Sequence, residues 1–138
     1  VGDGEDVPKL KNLIKKLNLE KKVELTGKVT NEELRLRYSS CDVYLSASNF
    51  EVCPVPTLEA MSCGKPLVLY DINPHREIIE LSSAGVLFSK LNKKEISTQI
   101  KEVIENKEKY SNNAIIFAKE HDWKNISLQV AKIYEEIS

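Results

Sequence analysis

Cysteine is scarce in this chain, with three residues at positions 41, 53 and 63 among 138. They form no Cys-x-x-Cys pair and leave an odd count, whereas zinc sites and disulfide frameworks want tighter or even-numbered sets. Three reduced thiols in a cytoplasmic protein are the expectation. Charge of one sign is also lacking, since 20 Lys and Arg face 21 Asp and Glu for a net charge of −1. That balance excludes a strong electrostatic case for DNA, RNA or an anionic membrane as partner. Apolar runs stop at about five residues, against the roughly 20 needed to cross a bilayer, so no transmembrane segment is expected. No signal-peptide pattern opens the chain. Histidine occurs twice, as His75 and His121, and neither has partners at ligand or triad spacing. Both are read as surface or capping residues, and no metal is expected. With no oriented base, Ser48 and Cys53 carry no Ser-His-Asp or Cys-His chemistry.

What is present is one domain's worth of chain with 41% apolar and 30% charged residues, enough to bury a core. Short apolar segments alternate with helical patterns. Val23–Thr26, Val43–Leu45, Leu67–Tyr70 and Val86–Phe88 are the strand candidates. Residues 6–18, 31–39, 55–63 and 74–81 have helical periodicity, with Leu10, Leu13, Ile14 and Leu17 on one face. Asn31 and Asn73 are the expected N-caps, the latter followed by Pro74. Strands separated by single helices imply an α/β fold, an open doubly wound parallel sheet. From about residue 93 the chain reads as helical to its end. Ile126, Val130, Ile133 and Ile137 fall on one stripe that needs a partner. Val1-Gly2-Asp3-Gly4 reads as a strand end entering a turn with no strand before it, so the chain is expected to begin inside a domain spanning 1–138.

In open α/β sheets, ligands bind beyond the carboxyl ends of the strands. The longest turn there runs from Ser46 to Val55 and holds Ser48 and Glu51. It leads into a helix with proline near its start and Gly64 past its end. Free N–H groups at that helix start favour a phosphate. Pro54 and Pro56 each lack a donor, which leaves Val52, Cys53, Val55 and Thr57 as candidates. Glu59, one turn inside, can accept two hydroxyl hydrogen bonds and so match a ribose diol. Glu51 can meet hydroxyls beyond the phosphates. Spacing alone decides nothing, because Glu24 and Glu32 repeat it. Gly2-Asp3-Gly4 by itself is a tight turn.

These residues assemble into a resemblance. The chain resembles the C-terminal, nucleotide-sugar-binding domain of family 4 glycosyltransferases (glycosyl transferases group 1), enzymes of the GT-B fold. Val1-Gly2-Asp3-Gly4 is similar to the family's glycine turn, and Val23–Val29 to its next strand and glycine. Glu33-Leu34 through Tyr38 and Cys41–Leu45 follow in step. Glu51 to Glu59 falls at the family's paired-glutamate signature, followed by Ala60–Val68. Glu77-Ile78-Ile79, Ala84–Leu87 and Trp123 complete the order.

The resemblance implies that Glu59 binds the donor ribose and that Glu51 approaches the transferred sugar. It implies that Val52, Cys53, Pro54 and Val55 line the diphosphate and sugar, with Ser48 and Gly4 beside them. Val29 and Thr30 would frame the base. It further implies a retaining enzyme without metal, in which positive groups stabilise the leaving diphosphate. The partners implied are a nucleotide-sugar donor and an N-terminal acceptor-binding domain. The phosphate-binding Arg and Lys would precede residue 1, and the piece alone is expected to be inactive. Polysaccharide biosynthesis is the expected setting, and peripheral membrane contact of the whole enzyme is compatible with it. Val52-Cys53-Pro54 departs from the family's Gly-Phe-Gly or Gly-Phe-Pro, and a side chain at 52 narrows the backbone approach to ligand. Asn73-Pro74 replaces a glycine pair. Two alternatives stay open, a non-catalytic nucleotide-sugar-binding module and a sugar-nucleotide epimerase fragment.

Overall fold

A computed structural model describes residues 1–137. They divide into two compact units, Val1–Arg37 and the remainder from Tyr38 onward.

The first unit contains α1 (Val7–Lys16) and most of α2 (Asn31–Ser40). The apolar stripe of α1 forms as its periodicity predicts, yet Leu10, Leu13 and Leu17 stay 44%, 50% and 54% exposed. Asn18 ends α1 in the left-handed region, at φ 53°. Its N–H bonds the Lys15 carbonyl, and that of Leu19 bonds Ile14 at 3.0 Å, a Schellman closure built on asparagine. The expected strand Val23–Thr26 does not form, because a strand exists only as a paired ladder. Pairing here is limited to one antiparallel bridge, Gly2 to Gly27. The cap of α2 also differs from expectation. Thr30 Oγ1 accepts the Glu33 N–H at 3.2 Å, so Asn31 already lies inside the helix. Arg37 forks onto both oxygens of Glu24 at 3.1 Å and reaches Glu33 at 2.9 Å. Glu24 is therefore tied into an ion pair, and that bond to Arg37 holds its carboxyl below the usual range.

The second unit is built on a parallel sheet in the order β1 (Tyr44–Ser46), β2 (Leu67–Tyr70), β3 (Gly85–Phe88). Tyr44 pairs with Leu67, and Leu67 with Gly85. The connecting helices are α3 (Val55–Ser62) and α4 (Asn73–Ser82), and α5 (Lys93–Glu105), α6 (Lys107–Glu120) and α7 (Trp123–Glu136) follow. Central strand β2 is apolar at every position because both of its faces are covered. Leu67 and Leu69 pack with Met61, Ile78, Ala114 and Phe117. Val68 and Phe88 pack with Val103 on the opposite face. Helices thus flank the sheet on both sides, as the doubly wound reading requires.

Two local expectations fail at α4. Asn73 is not its cap, because its Oδ1 accepts from Arg76 at 3.3 Å and the extended Ile72 takes the cap position. Pro74 accordingly occupies the second helical position. His75 is not a surface residue either. It is fully buried, with Nδ1–H donating to the Tyr70 carbonyl at 2.8 Å and Nε2 left without a partner. Its place in the first turn carries it inward. His121 does match its expected cap role, stacking on Phe117 at 3.9 Å and bonding that residue's carbonyl at the end of α6. On α7, Ile126 is half-buried, whereas Val130 and Ile133 are 45% and 57% exposed and the capping Ile137 is 74% exposed, so the later part of the stripe is uncovered here. Among the described residues no helix is long and apolar enough to cross a membrane.

The start of α5 carries a titratable brace. Asn92 Oδ1 accepts the Glu95 N–H at 3.0 Å. The Glu95 carboxylate in turn accepts from the N–H groups of Ser89, at 2.7 Å, and Lys90, at 3.0 Å. The Ser89 N–H is the main reason the Glu95 carboxyl is held below its ordinary value. A carboxyl lowered in the folded state stabilises above its unfolded pKa and ceases to do so as pH falls. Glu95→Gln should therefore flatten the decline in melting temperature between about pH 5 and pH 3. Parallel melting curves for the two proteins across that range would refute the role.

Candidate functional site

The loop from Ser46 into α3 is shaped by one proline. Pro54 is buried at φ −79°, ψ 69°, and the Val55 N–H bonds the Cys53 carbonyl at 2.8 Å, which is an inverse γ-turn. The Thr57 N–H bonds the Pro54 carbonyl at 2.9 Å. Two of the four expected phosphate donors, Val55 and Thr57, are thus satisfied internally. Val52 and Cys53 remain, with no internal bond to either N–H among the described residues. Both are exposed, Val52 by 84%. The far end of α3 closes on Gly64 at φ 68°, with the Gly64 and Lys65 N–H groups bonding Met61 and Ala60. Ser48 braces the loop, its hydroxyl donating to the Phe50 carbonyl at 3.0 Å and its N–H to Ser46 Oγ.

Glu51 is half-buried and faces a shallow hollow of about 330 Å³ shared with Phe50, Ile72, Asn73 and Pro74. Glu59 lies one turn inside α3, exposed, and its Oε2 accepts from the Tyr38 hydroxyl at 3.2 Å. It also borders a mainly apolar groove of about 450 Å³ with Cys53, Val55, His121, Trp123 and Ile126. Tyr44 on β1 connects the two carboxylates. Burial pushes its phenol up, hydrogen bonds with Thr57 and then Ser46 pull it down, and the charges of Glu51 and Glu59 add to the rise. Both glutamates are therefore close enough to act on one phenol, which the 51/59 spacing alone could not establish. Tyr38 is raised further, by burial first and then by the Glu59 charge.

Gly4, Val29 and Thr30 belong to the first unit. Gly4 borders a concavity of about 640 Å³ with Gly2, Asp3, Leu25 and Gly27, and its N–H bonds Asp3 Oδ1. Thr30 serves as the α2 cap. The sequence reading did not single out Tyr38 or Tyr44 as site residues. Tyr38 closes a helical pattern and Tyr44 sits in an apolar strand, so each passed as a packing residue. Cys41, Cys53 and Cys63 are all unpaired. Among the described residues, no three His, Cys, Asp or Glu side chains gather as a metal-binding group.

A parallel open sheet with helices on both faces is the architecture of an open α/β domain. The same fold occurs in sucrose-phosphate synthase from Thermosynechococcus elongatus, at TM-score 0.83 and 20% identity over 99% of this chain and 35% of that one. The family profile described as glycosyl transferases group 1 matches residues 1–135, and the chain belongs to that family. An uncharacterized glycosyltransferase of Methanocaldococcus jannaschii is 29% identical, over 100% of this chain and 40% of its own length. The alpha-D-kanosaminyltransferase of Streptomyces kanamyceticus is 26% identical, over 99% of this chain and 36% of its own. Anabaena HepE, solved in complex with UDP-glucose, superposes with TM-score 0.81 at 27% identity, over 96% of this chain and 38% of that one. The chain thus spans well under half the length of these relatives.

Proposed function

We propose that this chain is the donor-binding portion of a retaining glycosyltransferase. The whole protein would move a sugar from a nucleotide-sugar to a glycan, lipid or small-molecule acceptor. The carrying observation is that α3 and its entry loop bring Glu51, Glu59 and the free N–H groups of Val52 and Cys53 to one end of the sheet. In this reading Glu59 takes the ribose diol, Glu51 the sugar hydroxyls, and the two N–H groups the diphosphate. Ser48, Pro54 and Val55 shape the loop. The family resemblance, taken over as part of this proposal, gives Gly4, Val29 and Thr30 a role toward the nucleotide and makes residues 1–138 one nucleotide-sugar-binding domain. The UDP-bound HepE structures support a nucleotide-sugar ligand for a chain of this family.

The transferred sugar departs from a diphosphate, so the rate depends on stabilising that leaving group and on holding two substrates in line. No metal enters this reading, in which transfer needs an acceptor-binding domain and cationic groups on the diphosphate in addition to the groups named here. The piece alone is accordingly inactive, and the whole enzyme works in the cytoplasm in polysaccharide biosynthesis, with peripheral membrane contact compatible. The exposed Val52, standing where glycine would admit the ligand more closely, favours a second reading as a binding module without catalysis.

Calorimetric titration of the full-length protein with UDP-, GDP- and ADP-sugars tests the proposal, one of which should bind and then be transferred or slowly hydrolysed. Binding without turnover selects the non-catalytic module. Epimerisation of the donor, seen by NMR, selects the epimerase. No binding across the panel rejects the nucleotide-sugar reading altogether.

A further inference from the structure

Glu59 is an exposed glutamate on a helix surface, and such a side chain ordinarily samples many rotamers. Ordering it on ligand binding would cost affinity. Here it is not left to wander, because the Tyr38 hydroxyl donates to its Oε2 at 3.2 Å. Tyr38 is itself held. It is half-buried, and its ring packs against that of Tyr44 with centroids 6.0 Å apart and planes tilted by 59°. The Thr57 and Ser46 side chains lie near enough to the Tyr44 phenol to draw its pKa down. The chain of contacts runs from strand β1 through two phenols to the carboxylate on α3.

We propose that Tyr38 is a positioning residue for Glu59, its phenol fixing one carboxylate oxygen so that the other stands ready for the ribose diol of the nucleotide. The inference rests on the reading of Glu59 as the ribose partner. A carboxylate has two oxygens and about four acceptor sites, so one phenol bond leaves capacity for two hydroxyl groups. At 3.2 Å the bond is longer than the strongest bonds to a carboxylate, so its contribution is to orient that group. Burial and the adjoining Glu59 charge both oppose loss of the phenol proton, which keeps Tyr38 a donor. A phenylalanine at 38 would keep the ring packing on Tyr44 and remove only the donor.

The test uses the full-length protein with UDP, GDP and ADP and the 2′-deoxy form of whichever binds best. Tyr38→Phe should weaken the ribonucleotide by about 3- to 10-fold, the range of one hydrogen bond. It should also shrink the preference for ribo- over 2′-deoxyribonucleotide. In a Glu59→Ala background the same change should have no further effect on either quantity, the signature of a shared interaction. If Glu59→Ala leaves the ribose preference intact, or no nucleotide binds the unaltered protein, the ribose reading fails and takes this inference with it. If Glu59→Ala abolishes the preference while Tyr38→Phe leaves it unchanged, the ribose reading stands and only the positioning role is overturned. A lower melting temperature for Tyr38→Phe with full ribose preference is likewise overturning, since it assigns Tyr38 to packing alone.

Discussion

Gly85→Ala is expected to lower the stability of the domain by about 3 kcal/mol or more. Gly85 opens β3 directly beside Leu67, its partner in the parallel ladder. A Cβ built on Gly85 would overlap the Leu67 carbonyl oxygen and lie 2.7 Å from the Leu67 carbonyl carbon. The obstacle is backbone, so no side-chain rotation relieves it. The backbone at Leu67 cannot easily retreat, since its N–H bonds the Ala84 carbonyl and its side chain is fully buried in the core. Relief requires β2 and β3 to part, which breaks ladder bonds and opens the packing around Leu67 and Ile78. Gly4→Ala is the matched control, because nothing lies within 4 Å of a Cβ there. Denaturant unfolding midpoints for the two variants should separate widely. Equal midpoints would show that the sheet yields at this edge.

Glu59→Ala and Glu51→Ala are expected to weaken ligand binding in different ways. Loss of the Glu59 carboxylate removes hydrogen bonds of charge-assisted type, and affinity for the nucleoside diphosphate itself should fall by about 10- to 100-fold. The exposure of Glu59 sets this below the cost of truncating a buried ion, because water re-solvates what is left. Glu51 instead borders the hollow beside Ile72, Asn73 and Pro74, off the α3 axis. Its loss should change nucleotide affinity by less than about 2-fold and remove most of the extra affinity contributed by the sugar. Titrating each variant with a nucleotide and its sugar conjugate measures both increments. Equal losses for the two variants would reject the division of labour.

Helices were legible because their signals are local. Periodicity located all four early helices, and the proline-to-glycine framing of α3 anticipated the Gly64 closure. The unbroken apolar run Leu67–Tyr70 marked a strand covered on both faces, and it is the central strand. Features that depend on a partner were not legible. Val23–Thr26 has strand composition but no ladder to join. Asn31 and Asn73 are good capping residues, but neighbouring Thr30 and Arg76 redirect the bonds. His75 carries no mark of burial in its type, and only the inward face of the first turn of α4 places it in the core.

The candidate site divides along the same line. Sequence by itself determined the α/β class, the family, and the presence of two carboxylates around a proline-started helix, because residue type and order carry that information. The tertiary structure decided what each carboxylate meets. Glu24, the other candidate at this spacing, is bound by Arg37. It decided which amides face outward, since the γ-turn at Pro54 occupies the Val55 N–H while Val52 and Cys53 stay open. It also supplied Tyr38, 21 positions before Glu59 and hydrogen-bonded to it. Hydrogen bonds and burial are relations between groups distant in the chain, and only the folded backbone brings those groups within reach.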